Sequence, residues 1–94
     1  MDQLQRKSTL IGMIKGFRLN QALAIYSEQV AQLSLDISQG KTPTQTRLNR
    51  LTKSKQKLRD AALAIGFDTN LCESTLKNLH ILFDEDTQKV VRDL

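Results

Sequence analysis

The sequence predicts an all-α protein, an antiparallel helical hairpin over residues 19–65 with shorter flanking helices in one small bundle. Three observations carry this. Leu19, Leu23, Tyr26, Val30, Leu33 and Ile37 recur at steps of four and three, and so do Leu48, Leu51, Lys55, Leu58, Ala62 and Ile65. Both sets draw one apolar stripe down a helix with 3.6 residues per turn, the pattern that packs helix on helix. Between them stands "SQGKTPTQ", the strongest punctuation in the chain. No stretch alternates apolar and polar residues at period two, so no sheet is expected.

The connection defines both long helices. Gly40 can take the left-handed conformation that ends a helix. Thr42 is read as the cap of the next, with Pro43 in its first position, where a missing N–H costs nothing. Gln45 follows three residues after Thr42, completing a capping-box pattern. A connection this short makes the two helices antiparallel neighbours, each about 30 Å long. Lys55 interrupts the second stripe. Its stem is expected to cover the seam while its ammonium reaches water.

Upstream, Gly12 and Gly16 lie on the backward extension of the first stripe. Either they admit another backbone, or they separate residues 3–18 from the long helix. The reading taken here is a helical segment over 3–18 with a kink or break near Gly16. Downstream, "AIGF" ends the second long helix at Gly66. Residues 70–94 are expected to form short helices. The first has Asn70 as its cap, Glu73 three positions on, and Leu71, Cys72, Leu76, Leu79, Ile81, Leu82 and Phe83 as its apolar set. The last, within "DEDTQKVVRDL", has Asp84, Glu85 and Asp86 at its N-terminal end, where the helix dipole favours acids.

The 94 residues allow one domain with a thin core, so a second copy or a protein partner is expected to supply burial. The net charge of +4 is unevenly spread. Lys41, Arg47, Arg50, Lys53, Lys55, Lys57 and Arg59 occur with no acid among them, whereas seven acids stand against three Lys or Arg from Asp60 onward. A basic middle and an acidic end point to a nucleic-acid or acidic-protein surface, or to pairing between the two segments. The single cysteine, Cys72, excludes an intramolecular disulfide and fits a reducing cytoplasm. "STLIGMIKGFRL" is broken by Lys15 and Arg18 and is too short to span a bilayer, so no signal or membrane anchor is expected.

The basic run carries the functional reading. Arg47, Arg50, Ser54 and Lys57 follow a 3, 4, 3 spacing, and Lys53 and Lys57 form an i, i+4 pair. Like charges so placed repel one another, and a phosphate backbone would remove that cost. Arg47, Arg50, Lys53, Lys57 and Arg59 are the expected DNA contacts, with Lys41 and Lys55 peripheral. A solvated face, or one neutralised by the acidic end, is the other reading. A second feature is the spacing of Ala62 and Gly66, with Ile65, Phe67 and Cys72 apolar around them, as in a helix-turn-helix. Its second helix would present Glu73, Ser74, Lys77 and Asn78. An ordinary helical hairpin closing the core explains the same residues.

Enzyme chemistry finds little support. Cys72 and His80 lie eight residues apart along one expected helix, too far to pair easily. No other Cys or His completes a zinc site. The Asp84–Glu85–Asp86 cluster reads as a helix start rather than a metal site, and no Gly-rich phosphate loop occurs. No cofactor or small-molecule substrate is expected.

A basic helix leading into "KLRDAALAIGFDTNLCESTLKNLHILF" resembles the C-terminal part of small conjugal-transfer accessory proteins of the TraC, TraD and MobC kind. Leu58, Ala62, Leu63, Gly66, Phe67, Glu73, Leu76 and Phe83 carry the likeness, over roughly half the chain. Phe67 stands where that family usually has Leu, and residues 1–40 have no counterpart in it. The resemblance implies a relaxosome accessory protein of a mobile element, one that helps a relaxase engage DNA. The competing expectation is a helical adaptor or inhibitor that docks on a protein through Leu10, Ile14, Phe17 and the basic helix.

Overall fold

The computed structural model describes the backbone of residues 2–94 and the side chains of residues 16–94. Four helices follow one another: α1 (Asp2–Ser38), α2 (Gln45–Ala64), α3 (Thr69–His80) and α4 (Glu85–Arg92). No strand occurs among the described residues. α1 and α2 form the antiparallel hairpin. α4 lies against α1, and α3 adjoins α2.

The stripes read from the sequence make the core. Tyr26, Val30 and Leu33 of α1 meet Leu51 and Leu58 of α2, and Leu76 of α3 and Val91 of α4 close over them. Leu19, Leu23, Ile37 and Leu48 pack at the edges of this cluster. Burying one side chain of this size contributes about 1.5–3 kcal/mol. In α3 and the turn after it the inward set is Cys72, Leu76, Leu79 and Phe83, again at steps of four and three. Leu71, Ile81 and Leu82, expected in the same apolar set, face solvent. Leu71 falls outside the stripe that one side of a helix can bury, and Ile81 and Leu82 lie in the turn beyond the end of α3.

The turns after α1 and α2 end their helices in the same way. After α1, Gly40 takes φ +76°, its N–H bonds the Ile37 carbonyl at 2.9 Å, and the Lys41 N–H bonds the Asp36 carbonyl at 2.9 Å. After α2, Gly66 takes φ +96°, and the N–H groups of Gly66 and Phe67 bond the Leu63 and Ala62 carbonyls, each at 3.1 Å. These paired bonds satisfy the carbonyls a helix end leaves open.

Three details differ from the sequence expectation. α2 is capped by Thr44, not Thr42: the Thr44 hydroxyl accepts from the Arg47 N–H at 3.1 Å, and Pro43 precedes the cap. α3 is capped by Asp68, two residues before Asn70, through a 2.7 Å bond from the Leu71 N–H. Each competing residue was itself a good cap, and the path of the turn decided between them. Finally, α1 continues through Gly16 without a break, and a Cβ built on Gly16 would meet nothing within 4 Å. One glycine costs a helix about 1 kcal/mol, too little to interrupt 37 residues.

Arg18 of α1 stands level with Ala64 at the end of α2. α1 therefore runs on beyond the hairpin by about 24 Å of helix. The molecule is long in consequence, 59 Å in its greatest dimension. Its radius of gyration is 15.8 Å, against about 12 Å for a rounded chain of this size.

Candidate nucleic-acid interface

α2 turns its cations onto two different flanks. At 100° per residue, Arg50, Lys53 and Lys57 lie within about 60° of one another, and Arg59 lies roughly 150° around the axis from the middle of that set. Arg50, Lys53 and Lys57 are exposed and form no ion pair among the described residues. They border a groove of about 240 Å³ whose other wall and floor are Ala22, Ile25, Gln29 and Ser54. The groove continues past Lys57 toward Arg18, Asp60 and Ala64. From Arg50 to Lys57 is about 10.5 Å along the helix, the axial rise of about three phosphates on one strand.

The other expected contacts are engaged internally. Arg47 pairs with Asp36 of α1 at 3.3 Å, fixing the start of α2 against the end of α1. Arg59 donates from Nε to Glu73 of α3 at 3.0 Å. Lys41 is exposed in the connection. Lys55 departs furthest from expectation. It is buried, and its Nζ donates to the carbonyls of Val91 at 2.8 Å and Leu94 at 3.2 Å. Instead of reaching water, its ammonium caps the C-terminal end of α4, where the helix dipole favours a cation. Burial, with help from Arg59 nearby, pulls its pKa below the usual lysine value, while Glu73 works the other way.

Arg18 was not among the expected contacts. The signal was present: Arg18, Ala22, Ile25 and Gln29 recur at steps of four and three, a second stripe of α1 beside the apolar one. The Gln29 side-chain oxygen, buried on this stripe, has no hydrogen-bond partner.

The face that a helix-turn-helix would present on α3 is mixed. Ser74, Lys77 and Asn78 are exposed, and Glu73, half-exposed, sits among them in its pair with Arg59. With Lys77 the one cation of the four, this face offers no run of positive charge for a DNA backbone to lie along. Cys72 is buried beside an apolar cavity of about 170 Å³ lined by Leu19, Leu23, Leu58, Phe67 and Leu76. His80 of α3 meets Tyr26 of α1, with Nε2 and the phenolic oxygen 2.7 Å apart. Burial pushes the Tyr26 pKa up to about 12, with Arg59 acting in opposition. Asp84 caps α4 through the Thr87 N–H at 3.1 Å, and Glu85 and Asp86 occupy the first turn as expected. Among the described residues no three His, Cys, Asp or Glu gather to hold a metal, and no helix is long and apolar enough to cross a membrane. Leu10 and Ile14, two of the expected protein-docking residues, lie outside the described side chains. The third, Phe17, is 66% exposed.

No family model, curated protein or solved structure matches the chain.

Proposed function

We propose that the chain is a small, non-enzymatic DNA-binding accessory or regulatory protein that holds phosphates through Arg50, Lys53 and Lys57. One observation carries the reading: three exposed cations share one flank of α2 with no carboxylate paired to them among the described residues, while the hairpin core holds that flank outward. Contacts of this kind fix a protein on the duplex without reading bases. Arg47 leaves the contact set because it is tied to Asp36 at the turn, and Arg59 because it faces the other flank of α2. Arg18 joins it, at the far end of the groove. The likeness to conjugal-transfer accessory proteins supplies the biological setting, a mobile element acting in the cytoplasm. The double substitution R50E/K57E is expected to abolish retention of duplex DNA with the helical circular-dichroism signal unchanged. Equal retention by the parent and the double variant contradicts the reading.

A second reading rests on the extension of α1. A helix that runs about 24 Å past its neighbour, with Phe17 exposed near the point of departure, suits an adaptor or inhibitor that docks on a protein or on a second copy. Such docking through an apolar face responds weakly to salt, whereas phosphate contacts weaken steeply.

A further inference from the structure

On the flank of α2 away from Arg50 and Lys57, three helices border an open cavity of about 500 Å³. Lys55 and Arg59 enter it from α2, Glu73, Lys77 and His80 from α3, and Arg92 from α4. Four basic side chains face one carboxylate, a local charge of +3 when all four are protonated and His80 is neutral. Leu76 and Ile81 add apolar surface.

These groups keep capacity for a ligand. Lys55 uses two of its three N–H donors on the Val91 and Leu94 carbonyls. Arg59 spends Nε on Glu73, and its terminal nitrogens bond no described residue. Lys77 and Arg92 make no ion pair among the described residues. The size matches clefts that hold small organic ligands, and it far exceeds what a simple ion fills. Like charges brought together in a partly enclosed site repel, and an anion relieves the repulsion.

We propose that this cavity binds a small organic phosphate, its phosphoryl oxygens held by Arg59, Lys77 and Arg92 and its carbon skeleton resting on Leu76 and Ile81. The guanidinium groups suit the bidentate geometry of phosphate oxygens. His80 reports on occupancy. Its imidazole faces Tyr26 of α1, Lys55 and Arg59 of α2, Glu73 and Lys77 of α3, and Arg92 of α4, so a bound anion adds negative charge beside a ring otherwise set mainly among cations.

The test uses the full chain, with ADP, pyrophosphate and adenosine as probes. The ring resonances of His80, the only histidine, are followed by NMR. ADP and pyrophosphate are expected to shift them saturably and to raise the pH midpoint of the ring, and adenosine to leave them in place. Lys77 and Arg92 are exposed, so K77Q/R92Q is expected to keep the parent's thermal midpoint and to lose roughly tenfold or more in affinity for pyrophosphate. R50E/K57E is expected to bind pyrophosphate as the parent does, which separates this site from the DNA face. Absence of a saturable shift, equal response to adenosine, or unchanged affinity in K77Q/R92Q overturns the proposal. Displacement of pyrophosphate by a short duplex also overturns it, by making the cavity part of the DNA contact.

Discussion

Single polar side chains tie helices together beside the apolar core: Tyr26 and His80 join α1 to α3, and Lys55 joins α2 to the end of α4. The Tyr26–His80 bond joins α1 to α3 across 54 positions of sequence. Replacing Tyr26 by Phe leaves a half-buried imidazole nitrogen unpaired and is expected to cost about 1 kcal/mol in urea unfolding. In the parent, burial comes first and Lys55 second among the causes that push the His80 pKa below the usual 6.5; Arg59 and Arg92 add to them and Glu73 opposes. The unfolded chain therefore takes up the proton first. Stability should be full above about pH 6.5 and decline as the pH falls below it. Urea midpoints at about pH 7 and pH 5.5 measure this. A midpoint that does not fall toward pH 5.5 in the parent, or falls equally in His80→Gln, counts against the account.

At the level of elements, spacing along one helix was legible and contact between helices was not. Tyr26, Val30, Leu33, Leu51 and Leu58 were readable as core because each helix must bury a stripe of fixed period. The partners of Lys55, Arg47 and Arg59 were hidden because they lie elsewhere: Val91 and Leu94 on or beyond α4, Asp36 on α1, Glu73 on α3. The three sides of the charged cavity could not be assembled for the same reason, since its residues run from Lys55 to Arg92 with no motif among them. Cap positions were legible only to within two residues, because "KTPT" and "FDTN" each hold more than one good cap. The observed caps give a direct check. Thr44→Ala is expected to lower stability by about 1 kcal/mol, and Thr42→Ala to change it little. Thermal midpoints of the two variants distinguish them, and the reverse order would restore Thr42 as the cap. In the core, Leu51→Ala is expected to cost about 2–5 kcal/mol, because α1, α3 and α4 all pack on the cluster it belongs to.

The whole molecule is a short bundle with one helix carried well past it. The bundle fixes the position of α2, and its core fixes which flank of α2 meets solvent. Sequence reasoning placed the basic helix and its seam correctly but merged two flanks into one contact set of five residues. Seen in three dimensions, Arg50, Lys53 and Lys57 face one way, Arg59 joins a cavity on the other side, and Arg47 closes a turn. That division makes the account specific. Retention of a generic DNA duplex, measured across a series of sodium chloride concentrations, tests it most directly. Three phosphate contacts predict a log–log slope of about −2.7, shifting to about −3.6 if Arg18 adds a fourth. A flat response to salt, or the same slope in R50E/K57E, would contradict the claim that this flank of α2 holds DNA.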